Sequence, residues 1–129
     1  MDDGVRTFLQ KTGPVLCVDI GSGTQDVLWA RPGLEVHNWP RFVLPSPARL
    51  AAQRIRELTL LKQPVWLYGE NIGGGFGLAV RDHIKAGFAV YSTASAASAL
   101  HDNPEVVRSM GVQVAEQCPA GAVPVPLSD

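Results

Sequence analysis

One short segment constrains this chain more than any other: two apolar runs joined by a turn of small residues. The turn lies within residues 19–27, Asp-Ile-Gly-Ser-Gly-Thr-Gln-Asp-Val, and the apolar runs are residues 15–18 and 27–30. An apolar run, a glycine-rich turn and a second apolar run predict an antiparallel β-hairpin. Gly21 and Gly23 suit the turn, because glycine tolerates positive φ and lets a ligand approach the backbone.

The same turn has the chemistry of an anion site. Successive free N–H groups in a turn form a concave surface that binds anions. Asp19 is expected at the end of a buried strand, where a carboxylate needs a metal ion or hydrogen-bond donors as partner. It would hold a phosphate through Mg²⁺, which prefers oxygen ligands and keeps several waters. The alternative is an ordinary hairpin turn that Asp19 caps.

Residues 19–24 resemble the phosphate-binding hairpin of the actin-like ATPase superfamily; the matching residues are Asp19, Gly21, Ser22, Gly23 and Thr24. The resemblance implies one half of a two-domain protein in which two such hairpins face each other across ATP. These five residues would then bind the nucleotide phosphates, and Asp19 would also hold Mg²⁺. The partner implied is a second actin-like domain, expected outside this chain.

The whole chain also resembles the N-terminal part of an uncharacterised prokaryotic family of that superfamily, which carries the label of a pyruvate formate-lyase activating enzyme. Glycyl-radical activation needs an iron–sulfur cluster, and such clusters need closely spaced cysteines. Cys17 and Cys118 are the only cysteines and lie near opposite ends of the sequence. The sequence therefore predicts neither a cluster nor a disulfide, and Cys17 is expected to be a buried thiol.

Composition narrows the class of protein and its partners. A chain of 129 residues with 46% hydrophobic and 18% charged residues predicts one globular domain. The net charge of −1 and the absence of a basic run argue against nucleic acid as a partner. No apolar stretch approaches 18 residues, which argues against a membrane span. We expect a cytoplasmic protein, and a homo-oligomer is left open.

The order of predicted elements indicates the fold class. Three extended segments precede strands that alternate with helices, in the order β-β-β-α-β-α-β-α. This order predicts an α/β, ribonuclease-H-like fold with a five-stranded mixed sheet and helices on its faces. The expected organisation is a mobile lead-in at 1–13, the actin-type half-domain at 14–117 and a proline-rich tail or linker at 118–129. The first two strands are placed at 14–19 and 25–31, and Ser46 with Pro47 opens the first helix.

A second candidate segment is the glycine-rich loop within residues 68–77. It follows a predicted parallel strand and precedes a helix, the position where open α/β sheets bind ligands. Gly73, Gly74 and Gly75 would allow a phosphate to approach the backbone, and Glu70 is the candidate catalytic acid, placed near Asp19. The alternative is a flexible loop whose glycines only satisfy turn geometry. His83, on the following helix, is expected at the surface, and no zinc site is expected.

These observations predict half of a nucleotide- or phosphate-binding protein, of the actin-like ATPase or kinase type, with Mg²⁺ and ATP or another phosphate ligand at the hairpin. A non-enzymatic structural or interaction domain that keeps the fold is the alternative. An unrelated α/β domain that binds another anion is a third reading. Whether the chain is an enzyme is left open by its residues.

Overall fold

The computed structural model describes residues 2–70 and 72–128. The elements follow in the order α1 (Asp3–Thr12), β1 (Val15–Ile20), β2 (Thr24–Ala30), a short 3₁₀ turn (Val36–Asn38), β3 (Arg41–Pro45), α2 (Pro47–Leu60), β4 (Val65–Tyr68), α3 (Gly77–Lys85), β5 (Val90–Ser92), α4 (Ala94–Ala97), α5 (Pro104–Ser109), β6 (Val112–Val114) and β7 (Val123–Pro126). The described part of the chain has no helix with the length and hydrophobicity that a membrane span requires.

The strands form two separate sheets. An antiparallel sheet has the order β1-β2-β3, and a parallel sheet has the order β6-β5-β4-β7. The mixed α/β class is thus confirmed, whereas a single five-stranded ribonuclease-H-like sheet is not. The neighbour of β4 opposite β5 is β7, from the proline-rich tail, so β1 does not pair with β4.

Strand β7 shows how a proline-rich segment joins a sheet. Val125 and Leu127 are buried, and the N–H groups of Val123 and Leu127 donate to Pro64 and Tyr68. The prolines occupy the alternate positions 124 and 126, whose missing N–H groups would face the open edge. Proline is tolerated on edge strands for this reason, and it also discourages further strand pairing there. The expected tail is therefore extended, but it belongs to the sheet.

The main core lies between the parallel sheet and its helices. From α2 it takes Ala48, Ala51, Ala52, Ile55 and Leu58, while Leu50 and Leu61 are exposed. The helix packs through a face of alanines because small side chains allow close approach to its neighbours. Ser46 is the N-cap and Pro47 the first helical residue, as predicted.

The first residues form a helix where a lead-in without regular structure was expected. The Asp2 carboxylate accepts a hydrogen bond from the Gly4 N–H, and Gly13 at φ +82° ends the helix with an N–H bond to Leu9. Leu9 is buried against Ala30 and Trp39 in a small second core. A capped helix with one buried anchor is sufficient to place α1 against β2.

The hairpin of β1 and β2 is confirmed, with both strands shifted by one residue from their predicted bounds. Register pairs Val15 with Ala30 and Ile20 with Gln25, leaving residues 21–23 as the connection. The antiparallel pairing continues from β2 to β3. Helix α4 has a single turn, from Ala94 to Ala97, and its N-cap is Thr93.

Candidate functional site

The hairpin turn is closed by one backbone hydrogen bond, from the Gly21 N–H to the Thr24 carbonyl at 2.8 Å. Within residues 2–70 and 72–128, the N–H groups of Ser22 and Gly23 have no hydrogen-bond partner. Both residues are exposed. Two consecutive free amides in a turn are the elements of an anion-binding concavity.

The glycines of the turn do not act as the sequence suggested. Neither Gly21 nor Gly23 has a φ in the left-handed region. A Cβ on Gly21 would lie 3.3 Å from the Thr24 carbonyl oxygen, and a Cβ on Gly23 would meet nothing within 4 Å. Close approach within the turn, and not positive φ, is what favours glycine at position 21.

Ser46 holds the turn from the inside. Its Oγ donates to the Ser22 carbonyl at 2.8 Å, and its N–H donates to the Gly23 carbonyl at 3.1 Å. Ser46 is fully buried, and its Oγ also accepts from the Arg49 N–H at 3.2 Å as the cap of α2. In a trans peptide the carbonyl and the following N–H point in opposite directions, so the Gly23 N–H is turned away from Ser46 and outward. Sequence reasoning identified Ser46 only as a helix cap.

The glycine-rich loop meets the turn at one residue. Gly75 has φ +119°, and a Cβ on it would lie 3.0 Å from the Ser22 carbonyl oxygen. The loop thus approaches the turn at this point, but not as the continuation of neighbouring strands, because β1 and β4 are in different sheets. Gly75 therefore packs against the side of the turn on which the Ser22 carbonyl oxygen lies. A Cβ on Gly73 or Gly74 would meet nothing within 4 Å, so neither glycine is required by a close contact.

Asp19 has a partner that sequence reasoning did not pair with it. Register places it directly opposite Asp26, and both carboxylates are exposed. The Thr24 hydroxyl donates to the Asp26 carboxylate at 3.4 Å. Like charges in directly opposed positions destabilise a β-ladder. A hairpin centred between Ser22 and Gly23 pairs these two positions, so the turn itself was the signal that could have found the pair.

Asp19 and Asp26, which we call the acid pair, line an open cavity of about 580 Å³ over the antiparallel sheet, together with Cys17, Leu28 and Arg41. Asp19 is therefore a solvated carboxylate, and the expectation that burial forces a partner on it is wrong. Cys17 is likewise exposed and was expected to be buried. Both differences have one cause, since α1 covers only the end of this sheet that is remote from the turn.

Glu70 does not join Asp19. It lines a different cavity of about 300 Å³, with Ser95, Ser98 and Leu127. The preceding Gly69 has φ +111°, and a Cβ there would lie 2.5 Å from the Leu127 carbonyl oxygen. The loop is thus fixed against the end of β7, which places Glu70 by α4. Asn71, also part of the candidate loop, lies outside the described residues.

His83 is buried, contrary to the expectation of a surface position. Its Nδ1 lies 2.7 Å from the Thr59 hydroxyl, and its Nε2 has no partner among the described residues. Burial lowers the pKa of His83, opposed by the nearby backbone of Ala89 and Gln63. A neutral imidazole between α2 and α3 is a packing element remote from the turn.

The described residues contain neither a disulfide nor a cluster of three metal-ligating side chains. Cys17 and Cys118 are separate, exposed free thiols. Residues 2–70 and 72–128 contain no group of three or more His, Cys, Asp or Glu side chains placed to hold a metal ion. The acid pair provides two carboxylates and no third ligand of these types.

Comparison with known proteins matches the second half of the chain to a family model. A family model described as "Putative pyruvate format-lyase activating enzyme (DUF1786)" matches residues 72–129. The matched segment contains most of the glycine-rich loop and all elements from α3 onward, and it does not contain the hairpin. No curated protein and no solved structure matches the chain.

Proposed function

We propose that this chain is a phosphate-binding half-site of the actin-like ATPase or kinase type, with the turn at residues 21–24 facing the phosphates of a nucleotide. One observation carries the proposal: the Ser22 and Gly23 amides are free, while the carbonyls of the same two residues are held inward by Ser46. A turn fixed in this way presents donors without having to reorganise when an anion arrives.

The acid pair supplies the metal chemistry of the proposal. Mg²⁺ takes oxygen ligands and usually keeps several waters, so it needs one or two carboxylates and the substrate phosphates. Asp19 and Asp26, opposed on one face, fit that requirement as water-mediated ligands. A bound cation would also relieve the repulsion between the two carboxylates. In this proposal Asp19 orients the hydrated metal and Gly21–Thr24 bind the phosphate.

The glycine-rich loop has a secondary part in the proposed site. Gly75 supports the turn through its contact with Ser22, and exposed Gly73 and Gly74 are free to approach a ligand. Glu70 lines another cavity. For it to act as the catalytic acid, the loop would have to move or the substrate would have to extend toward that cavity. A second domain would provide the opposite side of the nucleotide.

The description of the matching family names a different chemistry. Activating a glycyl radical enzyme requires an iron–sulfur cluster with several thiolate ligands. This chain has two cysteines, and they are separate exposed thiols. The residues at hand support phosphate binding better than radical chemistry, so the proposal does not include a cluster.

A non-enzymatic interaction domain is the second candidate function. The observation that favours it is the antiparallel sheet, whose strands expose seven large apolar side chains: Leu16, Val18, Ile20, Trp29, Phe42, Val43 and Leu44. A domain of this kind would keep the hairpin as a turn and use the sheet for contact with another protein.

Ligand-observed NMR with Mg·ATP tests the proposal. A single half-site is expected to bind at about the millimolar level, about −4 kcal/mol, which saturation-transfer experiments detect. Asp19→Ala should reduce the ATP signal, while Asp82→Ala, at an exposed aspartate on α3, should not. Equal signals from the wild-type chain and Asp19→Ala would favour the interaction domain.

A further inference from the structure

The antiparallel sheet has one face that is uncovered and apolar at all but one of its strand positions. In the register of β1, β2 and β3, position 18 lies opposite 27, and 27 opposite 42. Side chains alternate between the faces of a strand, so these positions and those two residues away share one face. We call this surface the apolar face; its exposed members are Leu16, Val18, Ile20, Trp29, Phe42 and Leu44.

The paired strand positions of the apolar face carry no charged side chain. Besides its apolar members it includes Val27 and one polar residue, Gln25. At its margin, the Arg31 guanidinium carbon lies 4.7 Å from the centre of the Trp29 ring. The opposite face of the same sheet contains the acid pair and is partly covered by α1. Apart from Arg31 at this margin, the apolar face can therefore be buried without desolvating charges, whereas the opposite face cannot.

The size of the apolar face suits an interface between two copies of the chain. Its six exposed members range from 39% to 62% exposed. At about 100 Å² of accessible surface each, they present roughly 500–600 Å². This equals the largest apolar patch typical of a monomer. Two such faces in contact would bury roughly 1,000–1,200 Å², at the lower limit for a specific interface.

We propose that two copies of this chain associate through their apolar faces, sheet on sheet. A two-fold arrangement brings the same patch of each copy together, so neutral apolar surface meets neutral apolar surface. The sheets would lie about 10 Å apart with their strands aligned within about 30°, as in β-sandwiches. Asp19 and Asp26 stay on the outside, so the dimer does not depend on phosphate binding.

Sedimentation velocity measures this association directly. The wild-type chain should sediment at twice its 13.8 kDa mass at tens of micromolar and dissociate on dilution. Phe42→Glu places a carboxylate in each half of the interface and should raise the dissociation constant at least about 100-fold. Val43→Glu, the next residue on the opposite face, should change it less than about threefold. Val43 is even more exposed than Phe42, at 67% against 54%, so the pair is matched in position and charge.

A crosslinking measurement keeps the proposal testable if a glutamate variant fails to fold. In a chain with Cys17→Ser and Cys118→Ser, Val18→Cys should form a covalent dimer with a bis-maleimide of about 10 Å span, and Val43→Cys should not. A monomer at every concentration would overturn the proposal and leave the face to another protein. Equal disruption by Phe42→Glu and Val43→Glu, or equal crosslinking from both cysteine variants, would also overturn it.

Discussion

Substitution of Ser46 by alanine tests how the hairpin turn is held. The change removes the hydroxyl that donates to the Ser22 carbonyl at 2.8 Å and accepts from the Arg49 N–H at 3.2 Å. Loss of a helix cap costs about 1 kcal/mol. A buried carbonyl left without its donor costs about 1–3 kcal/mol. Because the bond to the Ser22 carbonyl is only partly buried, its loss lies toward the lower end of that range, and we expect a total loss of about 2–3 kcal/mol in the free energy of unfolding.

Asn103→Ala is the matched control. Asn103 caps α5 through its side chain, is exposed, and does not contact the hairpin turn. Its loss should cost only the cap, about 1 kcal/mol. Urea denaturation followed by circular dichroism gives both values, provided that the m-value, the slope of the unfolding free energy against urea concentration, is the same in the variants as in the wild-type chain. If Ser46→Ala costs no more than Asn103→Ala, the bond to Ser22 contributes nothing and the turn is not held as described.

Three further predictions follow from the described contacts. Gly75→Ala should lower the free energy of unfolding by about 1–3 kcal/mol, because φ at this position is +119° and the new Cβ would lie 3.0 Å from the Ser22 carbonyl oxygen. Gly74→Ala, where a Cβ would meet nothing within 4 Å, should leave the free energy of unfolding unchanged in the same urea titration. The pKa of His83 is lower in the folded chain than in the unfolded chain, so the free energy of unfolding should be highest above pH 6.5 and should fall as the pH is lowered from 6.5 toward the folded-state pKa. His83→Gln should flatten this part of the pH profile, whereas the same change at an exposed histidine should leave it unchanged. Asp19→Asn should raise the midpoint of urea unfolding, because it removes a carboxylate opposed to another across the hairpin, and an unchanged midpoint would contradict that repulsion.

Local signals in the sequence predicted local structure well. The two apolar runs with a small-residue turn correctly predicted the hairpin, and Ser46 with Pro47 correctly predicted the start of α2. Pro104 is likewise the first residue of α5, directly after its cap Asn103. In each case the residues that decide the structure are adjacent in the chain, so propensity and capping are sufficient to place the element.

Features that depend on distant residues were predicted less well. Composition alone made residues 118–129 a linker, whereas Val125 and Leu127 are buried beside β4. His83 was placed at the surface because its helix is polar, but Thr59 of α2 provides a partner for its ring. Pairing of β4 with β7 could not be inferred from periodicity, and it is the reason that two sheets form where one was expected.

In the candidate site, too, local features were predicted from the sequence better than contacts between distant residues. The turn was predicted, whereas the approach of Gly75 to Ser22 and the pairing of Asp19 with Asp26 required the tertiary structure. The inward hydrogen bonds of Ser46 join residues 24 positions apart and leave no sequence pattern. Glu70 was assigned to the site from its place after β4, but the fixed geometry at Gly69 directs it elsewhere.

The most direct test of phosphate binding is the amide NMR spectrum of the hairpin during a titration with Mg·ATP. The account predicts that the Ser22 and Gly23 N–H signals, which have no partner among the described residues, shift more than any others as ATP is added to about 10 mM. Amides of residues 84–86 at the end of α3 serve as internal references. If the Ser22 and Gly23 signals do not move, or move no more than those references, the turn does not bind phosphate.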